Sequence, residues 1–212
     1  NFGVLRFYEF ILHFIFAGLG MFILLKRLKC NFMSSVFASI SYVCMPYLVA
    51  NLAHGHGSLI MTASYIPWIF WATINLFDKK NMLSIGVLGI LVGFQLQRAH
   101  VQIAYYTWMV IGLYVLFHVL ESIYNKNRTF FIKSNPLLFL FYALLLGIGL
   151  AASIYFPAIS YMSYSTRGSI DGGMGMTQAM GWSFPPIESI VFLLPSFFGF
   201  GGSTYWGMIE FT

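Results

Sequence analysis

The stretch Phe10-Ile11-Leu12-His13-Phe14-Ile15-Phe16-Ala17-Gly18-Leu19-Gly20-Met21-Phe22-Ile23-Leu24-Leu25 runs directly into Lys26-Arg27-Leu28-Lys29. A long apolar run closed by a basic cluster is the pattern of a helix that crosses a bilayer and stops at its charged surface. The pattern recurs. Lys79 and Lys80 follow a third apolar run, and Lys126, Arg128 and Lys133 follow a fifth. Eight of the 11 Lys and Arg residues therefore lie in three clusters, each after an odd-numbered run. The positive-inside bias assigns those clusters to the cytoplasmic side. Arg6, Arg98 and Arg167 fall on the opposite side, together with His54, His56, His100, Glu9 and Asp171. That small polar set is where the sequence places the function.

Composition supports the same class. Of 212 residues, 59% are hydrophobic, 19% aromatic and only 8% charged, which is an integral membrane composition. Six spans are expected, roughly 5–25, 33–53, 58–77, 82–97, 100–120 and 136–157. The expected fold is an all-α polytopic bundle over 1–159, followed by an outer loop over 160–212 with a short interfacial or re-entrant segment. Pro46, Pro67 and Pro157 fall inside or at the ends of spans and should kink them. The net charge of +5 sits in short turns, so it points to topology and anionic lipid rather than nucleic acid. Cys30 and Cys44 differ in depth, which argues against a disulfide. The chain opens on Asn1 without a Met and stops at Thr212, so it reads as a piece of a longer protein.

Four groups of residues carry candidate chemistry. His54-Gly55-His56-Gly57 ends span two; its imidazoles suit a phosphate or a shared metal, or simply cap a tight turn. His100 is the candidate third ligand of such a metal, and no fixed metal site is assigned. Gln97-Arg98-Ala99-His100-Val101-Gln102 opens span five. Arg98 there stands against the topological bias, at a helix start that attracts anions. Gln102 aligns with Arg98 or with Tyr105 and Tyr106 on the helix surface. The alternative is an Arg that snorkels to the lipid surface. Glu9, with Arg6 and His13 beside it, is either a carboxylate base or part of a structural network, and the structural role is preferred for the trio. Tyr164, Arg167 and Asp171 lie in the outer loop, where aromatic and charged groups suit sugar recognition or form an ordinary solvated pair. Both short outer connections should converge, bringing His54, His56 and His100 to one depth with Arg98 nearby.

An ordered set of segments resembles the bacterial YfhO-type membrane proteins. The segments are His13 to Met21, Tyr47 to His56, His100 to Tyr106, Trp182 to Pro186, Leu194 to Gly201 and Tyr205-Trp206-Gly207. The resemblance implies a fold like that of the GT-C glycosyltransferases. It also implies transfer of a sugar from a polyprenyl-phosphate donor to a cell-envelope polymer or lipid acceptor. The setting would be the outer face of a bacterial cell membrane, crossed by several spans. The catalytic acidic residue of that superfamily usually lies in a first outer loop, expected upstream of Asn1. Glu9 and Asp171 therefore stand as substitutes for the catalytic base. The substrate contacts would come from His54, His56, Arg98, His100, Gln102, Tyr164 and Arg167. A divalent cation stays open as a cofactor, and the donor's isoprenoid tail needs a lipid-exposed groove. A non-catalytic transporter or flippase for an envelope lipid or polymer is the alternative, using the same outer cations and broken helices.

Overall fold

The computed structural model describes residues 2–125, 135–162, 164, 184–199 and 204–207, with side chains from residue 7 onward. Every element among them is helical. The chain divides into two compact units, Asn1–Tyr155 and Phe156–Thr212. Among the described residues, five segments are long and apolar enough to cross a membrane: Phe7–Arg27, Phe32–Ala53, Gly57–Lys79, Val101–Tyr124 and Pro136–Met162. The fourth expected span, Met82–Gln97, has 16 residues, about 24 Å of helix, and so falls short of a full hydrocarbon crossing.

Two of the spans are interrupted. The second is built from α2 (Phe32–Val43) and α3 (Pro46–Ala53). Pro46 forces the break, because its ring excludes helical backbone at Met45, which is extended at ψ 127°. The third is built from α4 (Gly57–Ser64) and α5 (Ile66–Lys79), joined at Tyr65. Here Pro67 has no N–H to give to the Ala63 carbonyl. The Tyr42 hydroxyl, arriving from α2, donates to that carbonyl instead at 2.9 Å. A broken helix at membrane depth is stable only when a neighbour satisfies the freed backbone group in this way.

The third span is the centre of the bundle. Two-thirds of it is buried (67%), against 11–22% for the other four spans. Around it pack α1 (Phe2–Arg27), α6 (Met82–Gln97) and α7 (Val101–Tyr124). Ile69, Ala72, Leu76 and Phe77 of α5 form the core with Leu88, Val92, Ile111 and Ala143. The last long helix, α8 (Pro136–Met162), approaches α6 through glycines. A Cβ on Gly89 would lie 2.9 Å from the Ala143 carbonyl oxygen, and one on Gly147 would lie 3.1 Å from that of Gly89. Small residues let backbones approach this closely, which is the main source of helix attraction in lipid.

The bundle has two polar ends. At one, Arg27 at the end of α1 donates from Nε to Asn75 Oδ1 at 3.2 Å and pairs with Asp78 at the end of α5. The basic clusters that follow spans one and three therefore share a level. The third cluster, Lys126, Arg128 and Lys133, lies outside the described residues. At the other end stand Glu9 and Arg98. Glu9 and Arg27 are eighteen residues apart in one helix, about 27 Å, close to the thickness of a hydrocarbon core.

Candidate functional site

The far end, opposite the Arg27 cluster, holds a cavity of about 380 Å³. Glu9 and Phe10 of α1, the turn around Gly55 and Gly57, Ser58 and Met61 of α4, and Gln97 and Arg98 at the end of α6 line it. Both expected outer connections thus border a single space. Each is held there by local backbone chemistry. Gly55 takes φ +79°, a left-handed turn that suits a residue without a Cβ. Ala99 takes φ +59°, which an L residue with a side chain adopts at a cost. That turn places Arg98 as the last residue over α6 and His100 as the cap of α7. Two bonds tie the turn to α8. Gln97 Nε2 donates to the Leu150 carbonyl at 2.8 Å, and the Tyr155 hydroxyl donates to that of Leu96 at 3.2 Å.

Across the cavity Arg98 Nη1 meets Glu9 Oε1 at 3.4 Å, linking residues 89 apart in sequence. The distance is long for a charge-assisted bond, and both groups keep partial exposure, 30% and 43%. The same nitrogen lies 3.9 Å from the Met61 sulfur. Arg98 Nε is buried and has no hydrogen-bond partner among the described residues. The guanidinium therefore retains donor capacity beyond its contact with Glu9. One turn back on α6, Gln95 is fully buried, and its Nε2 reaches Thr107 Oγ1 at 3.0 Å and the Thr62 carbonyl at 3.3 Å. That polar contact joins α4, α6 and α7 beneath the cavity floor.

No family model, curated protein or solved structure matches the chain.

The other expected site residues are distributed as follows. His54 turns its Nδ1 back to the Ala50 carbonyl at 2.7 Å, one turn behind it, and is exposed. His56 is exposed at the start of α4. His100 Nδ1 accepts from the Ile103 backbone N–H at 3.4 Å. None of the three lines the cavity. Among the described residues no three His, Cys, Asp or Glu side chains group as a metal site would require. Gln102 donates to the Tyr106 hydroxyl at 2.9 Å along the exposed face of α7. His13 bonds through Nδ1 to the Glu9 backbone carbonyl at 2.8 Å rather than to its carboxylate. Tyr164 is exposed beside Tyr161, with ring centroids 6.4 Å apart. Arg167 and Asp171 lie outside the described residues, as does the side chain of Arg6.

Sequence reasoning passed over Phe10, Ser58 and Met61, which carry no signal apart from lying beside residues it did single out. It also passed over Glu188, in the 3₁₀ helix Pro186–Phe192 of the second unit. That carboxylate is 3% exposed and accepts from the Tyr205 hydroxyl at 2.5 Å. A lone acid within an apolar aromatic run was the available signal.

Proposed function

We propose that the chain is the membrane portion of a YfhO-type, GT-C-like glycosyltransferase that uses a polyprenyl-phosphate sugar as donor and an envelope polymer or lipid as acceptor. The observation that carries this reading is the Arg98–Glu9 pair across a 380 Å³ cavity at one polar end of the bundle. Arg98 binds the donor phosphate. Glu9 takes the proton of the acceptor hydroxyl as its oxygen attacks the anomeric carbon. The bond from that carbon to the phosphate oxygen breaks, and the polyprenyl phosphate leaves with the electron pair. Its growing negative charge is stabilised by the guanidinium, whose donors are already oriented. His54, His56, His100, Gln102, Tyr164 and Arg167 remain the proposed further substrate contacts, and Asp171 the alternative base.

The test is transfer from a radiolabelled polyprenyl-phosphate sugar in membranes carrying the protein. Loss of one oriented donor set typically costs about 10²–10³ in rate, so Arg98→Ala should approach that loss. Arg98→Lys keeps the charge but not the planar fork and should fall between. Glu9→Gln should lower kcat with donor affinity retained. Wild-type kinetics in Arg98→Ala would overturn the reading. A second reading draws on the interruptions at Met45 and Tyr65, since broken helices are frequent in transporters. It requires the lipid to cross vesicles containing the protein without any sugar transfer.

A further inference from the structure

We propose that one internal water bridges Gln95 and Arg98 beneath the cavity, accepting from Arg98 Nε–H and donating to Gln95 Oε1, and that Gln95 is thereby a positioning residue for the Arg98 guanidinium. Among the described residues these are the two buried side-chain polar atoms without a hydrogen-bond partner. One is an acceptor and the other a donor, so a single water satisfies both. The orientation of the Gln95 amide is fixed by its other end. Its Nε2 donates to Thr107 Oγ1 at 3.0 Å and to the Thr62 carbonyl at 3.3 Å. The Thr107 hydroxyl gives its own hydrogen to the Ile103 carbonyl at 2.9 Å, so both groups facing the amide are acceptors. Turned over, the amide would set Oε1 against those two acceptors and lose both bonds. Oε1 must therefore find its donor elsewhere. Leaving a buried carbonyl oxygen without one is costly, and lipid tails have no donor to offer.

Arg98 brings a donor to the same place. It stands three residues beyond Gln95 and keeps helical backbone, at φ −72° and ψ −5°. At that spacing two Cβ atoms lie about 5–6 Å apart on one side of the helix. The two side chains also reach consecutive residues of α4. Gln95 meets the Thr62 carbonyl, and Arg98 Nη1 lies 3.9 Å from the Met61 sulfur. Two hydrogen bonds through one water span about 5.5 Å, which suits the gap. The guanidinium is planar and rigid, so holding Nε–H fixes the plane of the whole group and the direction of both Nη atoms. Nη1 is then kept facing Glu9 across the cavity. An Arg that snorkels to the lipid surface has no such restraint.

The water does not depend on what the cavity binds; its consequence for a bound phosphate rests on the proposed role of Arg98. The experiment separates them. The protein in lipid nanodiscs is labelled with ¹⁵N at arginine, and the Arg98 Nε–H resonance is assigned by its loss in Arg98→Lys. A cross-peak from this hydrogen to a long-lived water is expected, with slow exchange against bulk solvent. Gln95→Met keeps the length of the side chain and removes the amide; it should erase the cross-peak and speed the exchange about tenfold. Thr107→Val cuts one bond of the same network and spares Oε1, so it should lower stability and keep the cross-peak. A Gln95 that served packing alone would disturb the resonance alike in both variants. Retention of a polyprenyl phosphate should fall about tenfold in Gln95→Met and hold in Thr107→Val. A freely exchanging Nε–H in the unsubstituted protein, or a protected one with no water cross-peak, would overturn the water. A cross-peak that survives Gln95→Met would overturn Gln95 as its partner. Unchanged retention in Arg98→Ala would overturn the phosphate reading and leave the water standing on its resonance.

Discussion

Gly57 offers a sharp test of how the cavity is built. A methyl at this position would sit 2.5 Å from both Cε1 and Cζ of Phe10. Carbon atoms in contact prefer about 3.5–4.0 Å, so the ring must retreat by about 1 Å or more. Gly57 and Phe10 both line the cavity, so the displaced ring either intrudes on it or strains α1. Overpacking of this size costs about 1–3 kcal/mol. Gly57→Ala should therefore lose both stability and retention of a polyprenyl phosphate. Phe10→Ala in the same chain makes room for the methyl, and the two changes should couple favourably by about 1–3 kcal/mol. Gly55→Ala is the control two residues away. Nothing lies within 4 Å of its added methyl, and its cost is backbone strain at φ +79°, about 1–2 kcal/mol. That cost should be indifferent to Phe10. The assay is denaturation in mixed micelles for the single and double variants, with lipid retention measured on each. Additivity of Gly57→Ala and Phe10→Ala within about 0.5 kcal/mol would refute the steric argument. Equal coupling of Gly55→Ala to Phe10 would refute it too.

Three further outcomes follow from particular contacts. Ala99→Gly relieves a left-handed residue and should leave the protein as stable or up to about 1 kcal/mol more so, while loosening the Arg98 turn and weakening phosphate retention; a clear destabilisation in a melt would contradict this. Tyr42→Phe strips the donor from the Ala63 carbonyl and should cost about 0.6–1.7 kcal/mol, an effect that shrinks when Pro67→Ala restores the missing N–H. Unchanged cost in the double variant would mean that the hydroxyl does not serve the proline break. Gly147→Leu places a side chain against Val92, 2.6 Å from the first added carbon, and should part α6 from α8, lowering the denaturation midpoint and untethering Gln97 from Leu150. Retained crosslinking between cysteines placed on α6 and α8 would argue against it.

The membrane class, the long apolar helices and the breaks at Pro46 and Pro67 were legible in sequence, because each depends on residues within a turn or two of itself. Apolar run length sets whether a helix spans, and a missing N–H interrupts it wherever it lies. The left-handed turn at Gly55 and the caps at Asn31 and Asn81, whose side chains accept from the Ser34 and Ser84 backbone N–H groups, are equally local, but only the structure identified them. Which residues meet across the bundle was decided only by tertiary structure. Glu9 was expected beside Arg6 and His13, yet its carboxylate meets Arg98, 89 residues on. Arg27 was read as a topological marker, and it pairs with Asp78. His54 was a candidate ligand, and it bonds to its own helix at Ala50. In water an apolar stripe on a helix marks the face that turns inward. In lipid the outward face is apolar as well, so α6, α7 and α8 show nearly uniform hydrophobicity and their sequences do not state which side faces a neighbour. Close contacts such as Gly89 against Ala143, and the meeting of Arg98 with Glu9, are settled by packing among helices far apart along the chain.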